Sequence, residues 1–169
     1  MPWENVRLHT PRVEGDDWLN VESPPLMETL LAGGLLLVDF WEYSCVNCLR
    51  TLPYLTSWYE RYQTLGLEIV GIHTPEFHFS RQPEAVAAAV ARLGLPYPIL
   101  LDNEQRLWQG FANRGWPAKY LIDAQGILRY SAVGEGRYQE SEEAIQRLLR
   151  ERHGEALALP PLMVPLRPT

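Results

Sequence analysis

Cysteine is scarce in this chain of 169 residues, which contains only two cysteines, Cys45 and Cys48. Two thiolates cannot supply the four ligands of a structural zinc site. A disulfide across such a short loop would stabilise the fold by only about 2 kcal/mol, because closing a small loop removes little chain entropy. Neither kind of structural role accounts for the pair.

Long apolar stretches are also missing, since the longest apolar run is far shorter than the roughly 20 residues that a transmembrane helix needs. The N-terminal residues lack the basic-then-apolar order of a signal peptide. As written, the sequence predicts a soluble cytoplasmic protein, or an extracytoplasmic one if a signal or anchor has been removed.

The net charge of −6 argues against nucleic acid and anionic membranes as partners. His9, His78 and His153 show no ligand spacing, so we expect no metal.

The composition is that of an ordinary globular protein, with 46% hydrophobic and 21% charged residues. A chain of this length can bury a substantial core in a single domain. We therefore expect one domain over residues 1–155, with an irregular N-terminal entry, and a proline-rich C-terminal tail over residues 156–169. We expect the protein to be a monomer.

Apolar runs and helix-breaking residues predict alternating strands and helices. Residues 35–41 and 67–73 are continuous apolar runs typical of strands buried on both faces. A helix is predicted from the cysteines to Tyr62. The other predicted elements are helices over 84–93, 104–111 and 140–152 and strands over 97–101, 118–122 and 127–133, the last two forming a hairpin. This order predicts an α/β fold with a mixed central sheet and helices on both faces.

The cysteine pair directly follows the first of these strands, in the layout typical of a thioredoxin-like redox motif. At the start of a helix, unpaired N–H groups and the helix dipole stabilise a thiolate, so Cys45 is the predicted nucleophile. Cys48 lies nearly one turn later on the same face and is predicted to be the more buried, resolving thiol. The alternatives are two inert buried cysteines or a ligand pair at a partner interface.

Residues 38–48 resemble the active-site segment of thioredoxins, with Val-Asn between the cysteines in place of the common Gly-Pro. Pro53 stands where thioredoxins carry a helix-kinking proline, and residues 116–123 are similar to the cis-proline loop and the strand after it. The resemblance implies a thioredoxin-like fold over about residues 20–153.

The segment between Gly71 and Leu95 resembles the insert that distinguishes TlpA/ResA-type thiol-disulfide oxidoreductases from small thioredoxins. It implies an αβ insert after the second central strand. Within that group, residues 43–48, 73–77 and 116–123 are most similar to the soluble redoxin domain of DipZ-type proteins. DipZ-type proteins carry a membrane portion ahead of this domain, and this sequence contains none.

Two carboxylates are candidates for proton transfer. Asp39 lies within the first buried strand, where desolvation raises the pKa of a carboxyl and makes it a plausible proton acceptor for Cys48. Its position matches the buried aspartate of thioredoxins; the alternative is a strand-end aspartate that faces solvent or a loop. Glu76 follows the second strand at the edge where open α/β sheets place their sites. The resemblance to ResA-like proteins implies an active-site glutamate here; the alternative is a lone surface glutamate.

Several residues are candidates for substrate binding. The resemblance implies that Pro117 is a cis-proline, which would present the backbone of Trp116 beside Cys45 for main-chain hydrogen bonds to a substrate strand. Trp41, Tyr43 and Trp116 would then line an apolar groove around the sulfurs. The alternative for these aromatics is an ordinary place in the core.

Together these residues predict a thiol-disulfide oxidoreductase that exchanges electrons with protein disulfides through a reversible Cys45–Cys48 disulfide, with an unidentified thiol as electron donor. No bound organic cofactor is implied, and the resemblance favours the reducing direction. Two alternatives use the same fold. A Sco-type copper chaperone needs a distant histidine ligand, and none lies between His78 and His153. A thiol peroxidase needs a threonine and an arginine beside its cysteine.

Overall fold

The computed structural model describes residues 7–166 of the chain. Six strands form one mixed sheet: β1 (Trp18–Leu19), β2 (Leu35–Trp41), β3 (Leu67–His73), β4 (Ile99–Leu101), β5 (Ala118–Asp123) and β6 (Leu128–Val133). Their order across the sheet is β1-β4-β3-β2-β5-β6. The central strand β2 pairs parallel with β3 and antiparallel with β5. This confirms the predicted mixed sheet.

Five helices cover the two faces of this sheet: α1 (Met27–Leu30), α2 (Val46–Tyr62), α3 (Pro83–Leu93), α4 (Arg106–Gly110) and α5 (Tyr138–His153). Side chains of α2, α3 and α5 pack in one core cluster, and those of α1 and α4 pack in a second. Successive side chains of a strand point to opposite faces, so the seven buried residues of β2 contribute to both clusters. Among the described residues, no helix is long and apolar enough to cross a membrane.

Element bounds agree best with the sequence where apolar runs are continuous, and β2 and β3 have the predicted limits. The strand predicted to begin at Tyr97 begins at Ile99 instead, because β4 pairs with β3 over three residues only. The predicted hairpin between β5 and β6 is confirmed. Its turn is closed by Asp123, whose Oδ1 accepts hydrogen bonds from the backbone N–H groups of Gln125 (2.9 Å) and Ile127 (3.1 Å).

The predicted tail runs as an extended segment against α2 and α5. The backbone N–H of Met163 donates to Glu142 Oε2 (2.9 Å), and that of Leu166 donates to the Tyr54 hydroxyl (2.7 Å). Three tail side chains pack against the first core cluster: Leu157, Leu159 and Met163. Residues 1–6 and 167–169, which belong to the predicted N-terminal entry and tail, lie outside the described part of the chain.

Glu142 joins α5, α2 and the tail through one buried carboxylate. Its side chain is 1% exposed. It accepts hydrogen bonds from Trp58 Nε1 (3.2 Å) and the Tyr62 hydroxyl (2.7 Å) in addition to the bond from the tail, and it forms an ion pair with Arg61. A buried carboxylate with this many donors is well compensated for its loss of hydration.

Replacing this carboxylate should therefore destabilise the whole fold. We expect Glu142→Ala to lower the free energy of unfolding by about 2 kcal/mol or more, because it removes the ion-pair partner of the half-buried Arg61 and leaves several buried donors unpaired. Urea unfolding followed by tryptophan fluorescence measures the change. The matched control is Glu143→Ala, an exposed neighbour on the same helix, which should change stability by less than about 0.5 kcal/mol. Equal effects of the two substitutions would contradict the assignment.

Candidate active site

Cys45 occupies the N-cap of α2, immediately after the turn that follows β2. Its backbone N–H donates to the carbonyl of Glu42 (3.1 Å), which closes that turn. Its Sγ accepts a hydrogen bond from the backbone N–H of Cys48 (3.2 Å). The sulfur therefore takes the position of a capping acceptor at the positive end of the helix dipole, as the sequence predicts.

The two thiols have different surroundings, although both are free in this structure. Cys45 is partly exposed, whereas Cys48 is fully buried. Burial raises the pKa of the Cys48 thiol, and the hydrogen bond to Cys45 and the charge of Asp39 raise it further. The predicted order of burial is confirmed. A partner's disulfide can reach Cys45 from outside, while Cys48 needs a proton acceptor within the protein.

Asp39 is buried in the middle of the central strand, with a relative exposure of 1%. Neither of its carboxylate oxygens has a hydrogen-bond partner among the described residues. Burial raises the pKa of Asp39 to about 8, against the opposing effect of the positive charge of Lys119. The predicted burial and the predicted direction of the pKa shift are both confirmed. The role of proton acceptor for Cys48 stays a prediction at this point.

Lys119 is the residue directly opposite Asp39 in the antiparallel pairing of β2 with β5. Its side chain is 2% exposed, and Nζ donates to the carbonyl of Gly136 (3.2 Å). Nζ also lies 5.0 Å from the ring centre of Tyr138, in a cation–π contact. Burial lowers the pKa of Lys119 to about 8, and the charge of Asp39 opposes that shift. The two groups thus lie opposite each other in the sheet, and each opposes the shift that burial imposes on the pKa of the other.

Sequence reasoning did not assign a role to Lys119. The sequence nonetheless marks this residue as unusual, because the only lysine of the chain stands within an apolar strand. A lysine is almost never fully buried unless it is paired. Which acid it pairs with depends on the register between β2 and β5, which the sequence alone does not provide.

The structure differs from the prediction for Trp41, whose side chain is fully buried and so does not line a surface groove. A Cβ added to Gly71, which lies beside Asp39 on the neighbouring strand, would be 3.0 Å from Trp41 Nε1. The indole therefore packs against the backbone of β3, where only glycine leaves room. Trp41 is therefore part of the core that packs against β3.

Tyr43 is half-buried and lies two residues before Cys45. Its ring stacks on His73, with 5.6 Å between ring centres and 17° between planes. The backbone N–H of Tyr43 donates to His73 Nε2 (3.2 Å), and burial lowers the pKa of His73 to about 4. The imidazole is therefore neutral near pH 7 and accepts this hydrogen bond. It holds Tyr43 at the surface in the place expected for a substrate contact.

The bond between Trp116 and Pro117 is cis, as the resemblance implied. The next residue, Ala118, pairs with Phe40, so this loop lies at the end of β2 from which the cysteine motif begins. The indole of Trp116 is half-buried and donates from Nε1 to the carbonyl of Thr74 (2.8 Å). Trp116 thus keeps part of its side chain exposed, whereas Pro117 is buried, and both stay predicted substrate contacts.

Glu76 lies in the loop after β3 with its side chain exposed. Within residues 7–166, no hydrogen bond or ion pair joins it to the cysteine motif, so its catalytic role stays a prediction.

Glu42 is a carboxylate that sequence reasoning missed. It is fully buried, and its Oε2 accepts hydrogen bonds from the backbone N–H (3.0 Å) and the hydroxyl of Ser44, which directly precedes Cys45.

Metal ligation has no candidate in the part of the chain that the structure describes. Histidine, cysteine, aspartate and glutamate side chains there do not form a group of three or more that could hold an ion.

A mixed sheet with a cysteine pair after its central strand and a cis-proline loop beside it defines a thioredoxin-like protein. The fold is shared with the solution structure of a thioredoxin-like protein in the oxidized form. That structure has a TM-score of 0.76 and 28% identity, and the match covers 87% of this chain and 98% of that chain.

Residues 21–131 match the model of the AhpC/TSA family, and the chain belongs to that family. It is 29% identical to the thiol-disulfide oxidoreductase YkuV of Bacillus subtilis over 147 residues, which cover 86% of this chain and 97% of that protein. It is 44% identical to the protein DipZ of Mycobacterium tuberculosis over 135 residues, which cover 79% of this chain. The match spans only 19% of the length of DipZ. The comparisons thereby confirm the predicted thioredoxin-like fold and the predicted resemblance to the thiol-disulfide oxidoreductase group.

Removing the buried carboxyl should change how stability depends on pH. The pKa of Asp39 in the folded protein is about 8, above its unfolded value of about 3.9. The folded state therefore holds this proton more tightly, so the contribution of Asp39 to stability falls as pH rises through this interval. We expect this fall to be absent in Asp39→Asn when the free energies of unfolding are compared between pH 5 and pH 8. Glu76→Gln, which removes an exposed carboxylate, should run parallel to the wild type. Parallel curves for wild type and Asp39→Asn would contradict the burial argument.

Proposed function

We propose that the chain exchanges electrons with protein disulfides through a reversible Cys45–Cys48 disulfide, and that it acts mainly as a reductant. The observation that carries the proposal is the contrast between the two thiols. One is partly exposed at the N-cap of a helix, and the other is fully buried one turn later near a buried carboxylate. That arrangement suits sequential attack, first on a partner and then on the mixed disulfide.

In the first step, the Cys45 thiolate attacks one sulfur of the partner's disulfide. The S–S bond of the partner breaks, its other sulfur leaves as a thiolate, and a mixed disulfide with Cys45 forms. In the second step, Cys48 gives up its proton and attacks the Cys45 sulfur, which releases the second thiolate of the partner. Two electrons have then passed from the cysteine pair to the partner. An unidentified dithiol donor restores the pair by the reverse exchange.

Asp39 is the proposed proton acceptor for Cys48. A pKa of about 8 matches proton transfer near neutral pH, because efficient general bases have pKa values close to the working pH. The negative charge of Asp39 raises the pKa of the Cys48 thiol, which supports the proposal that the two groups lie close together in the core. Lys119 is a positioning residue in this scheme: its positive charge keeps the carboxyl able to ionise inside the sheet.

The reducing direction is supported by the resemblance to the TlpA/ResA group. The partners proposed are protein disulfides, which would bind across Tyr43 and the loop of Trp116 and Pro117.

Trapping experiments test the order of attack. We expect Cys48→Ser to accumulate a mixed disulfide between Cys45 and a protein disulfide such as insulin, visible by mass spectrometry. Cys45→Ser should form none, because Cys48 is fully buried.

The reduction potential of the cysteine pair tests the direction of electron flow. A value of about −270 mV would support the reducing direction, and a value of about −120 mV would contradict it. Mixed-disulfide formation by Cys45→Ser would reverse the assigned roles, and efficient peroxide consumption would favour a thiol peroxidase.

The rate of the second step should report on the buried pair. We expect the release of the partner, measured in a single turnover, to accelerate with pH around a midpoint near 8, as Asp39 becomes a free base. Lys119→Met should move this midpoint to higher pH, because the positive charge that lowers the pKa of Asp39 is gone. Lys119→Arg keeps the charge and is the matched control. A midpoint that is the same in Lys119→Met as in the wild type would remove Lys119 from the scheme.

A further inference from the structure

Several exposed apolar side chains lie at the end of the sheet that carries the cysteine motif. Val46 lies within the motif and is 59% exposed, and Phe77 and Phe79 in the loop after β3 are 48% and 54% exposed. This loop and the motif follow the parallel strands β3 and β2, so they lie at the same end of the sheet. Patches of this kind on a monomeric protein mark interaction sites more often than single scattered residues do.

The two phenylalanines form a row with Tyr43. The ring centre of Tyr43 lies 6.4 Å from that of Phe79, and the rings of Phe79 and Phe77 stack with centres 5.3 Å apart and planes 10° from parallel. Since Tyr43 is two residues before Cys45, the row leads outward from the attacking sulfur. We call Tyr43, Phe79 and Phe77 the aromatic row.

Hydrogen bonds hold the loop that displays these rings. The buried Ser80 hydroxyl donates to the carbonyl of Phe77 (2.8 Å) and accepts from its backbone N–H (3.2 Å). Asn103 Nδ2 donates to the carbonyl of Arg81 (2.8 Å), and Arg81 donates back to the carbonyl of Asn103 (3.1 Å). The rings are therefore presented in a defined arrangement, which lowers the entropic cost of binding.

We propose that the aromatic row binds apolar side chains that flank the reactive cysteine in an extended protein substrate. The inference rests on the proposed function, because the partner's disulfide must lie at Cys45. The two ring spacings together correspond to about three or four residues of extended chain at roughly 3.3 Å each. A substrate strand that leaves Cys45 across Tyr43 would thus place an apolar side chain on Phe79 or Phe77. Such contacts would select substrates by the residues beside their cysteines.

Two matched peptides test this selection. Each peptide contains two cysteines joined in one intramolecular disulfide. The first peptide carries leucine and phenylalanine in the four positions that flank one of these cysteines, and the second carries serine in the same positions. We expect the wild type to have a kcat/KM about tenfold higher for the apolar peptide, as burial of one large apolar side chain would give. The double substitution Phe77→Ser with Phe79→Ser should remove this preference. It should leave the serine peptide and the small disulfide of 2-hydroxyethanethiol unaffected.

The matched control is Leu26→Ser, which removes an apolar side chain that is 66% exposed at the start of α1, away from the motif. It should retain the preference. Equal kcat/KM values for the two peptides in the wild type would overturn the proposal, as would an equal loss for all three disulfides in the double variant. A wild-type dimer that dissociates in the double variant without any change in preference would assign the row to self-association instead. Failure of the wild type to reduce any of the three disulfides, or undiminished reduction by Cys45→Ser, would refute the proposed function itself.

Discussion

The buried carboxyl of Asp39 constrains the strands around it. It lies in the core, and neither of its oxygens has a hydrogen-bond partner among the described residues, so its charged form is costly there. Lys119 stands opposite it in the antiparallel pairing, and its positive charge opposes the upward shift of the Asp39 pKa. A slip of one residue between the two strands would turn Lys119 to the opposite face of the sheet and remove this effect. The register of β2 with β5 therefore influences the ionisation of the carboxyl.

This constraint also explains how the cysteine motif can work. The strand that carries Asp39 leads into the turn that begins α2, and the charge of Asp39 raises the pKa of the Cys48 thiol. Cys45 stays partly exposed at the helix N-cap. One strand and the first turn of one helix therefore provide an accessible sulfur, a buried sulfur and a buried carboxyl, for which we propose the role of base.

Much of this arrangement could be predicted because it is local in sequence. Continuous apolar runs specify β2 and β3, and the cysteine spacing with the preceding strand indicates the helix start. The burial of Asp39 follows from its place within such a run. What could not be predicted depends on contacts between distant segments: the pairing of Lys119 with Asp39, and the binding of the tail by Glu142. Trp41 was misplaced for the same reason, because its burial depends on a glycine in a neighbouring strand.

The single lysine has a chemical consequence beyond its charge. Its ammonium is the only side-chain amine of the chain, and Lys119 is only 2% exposed. The nitrogen lies on one face of the sheet, covered by the carbonyl of Gly136 and the ring of Tyr138 at the start of α5. Amine-specific acylating reagents therefore find no side-chain target on the folded surface. Their reaction with this nitrogen requires the start of α5 to move away from the sheet, so the rate of acylation reports how often that local opening occurs.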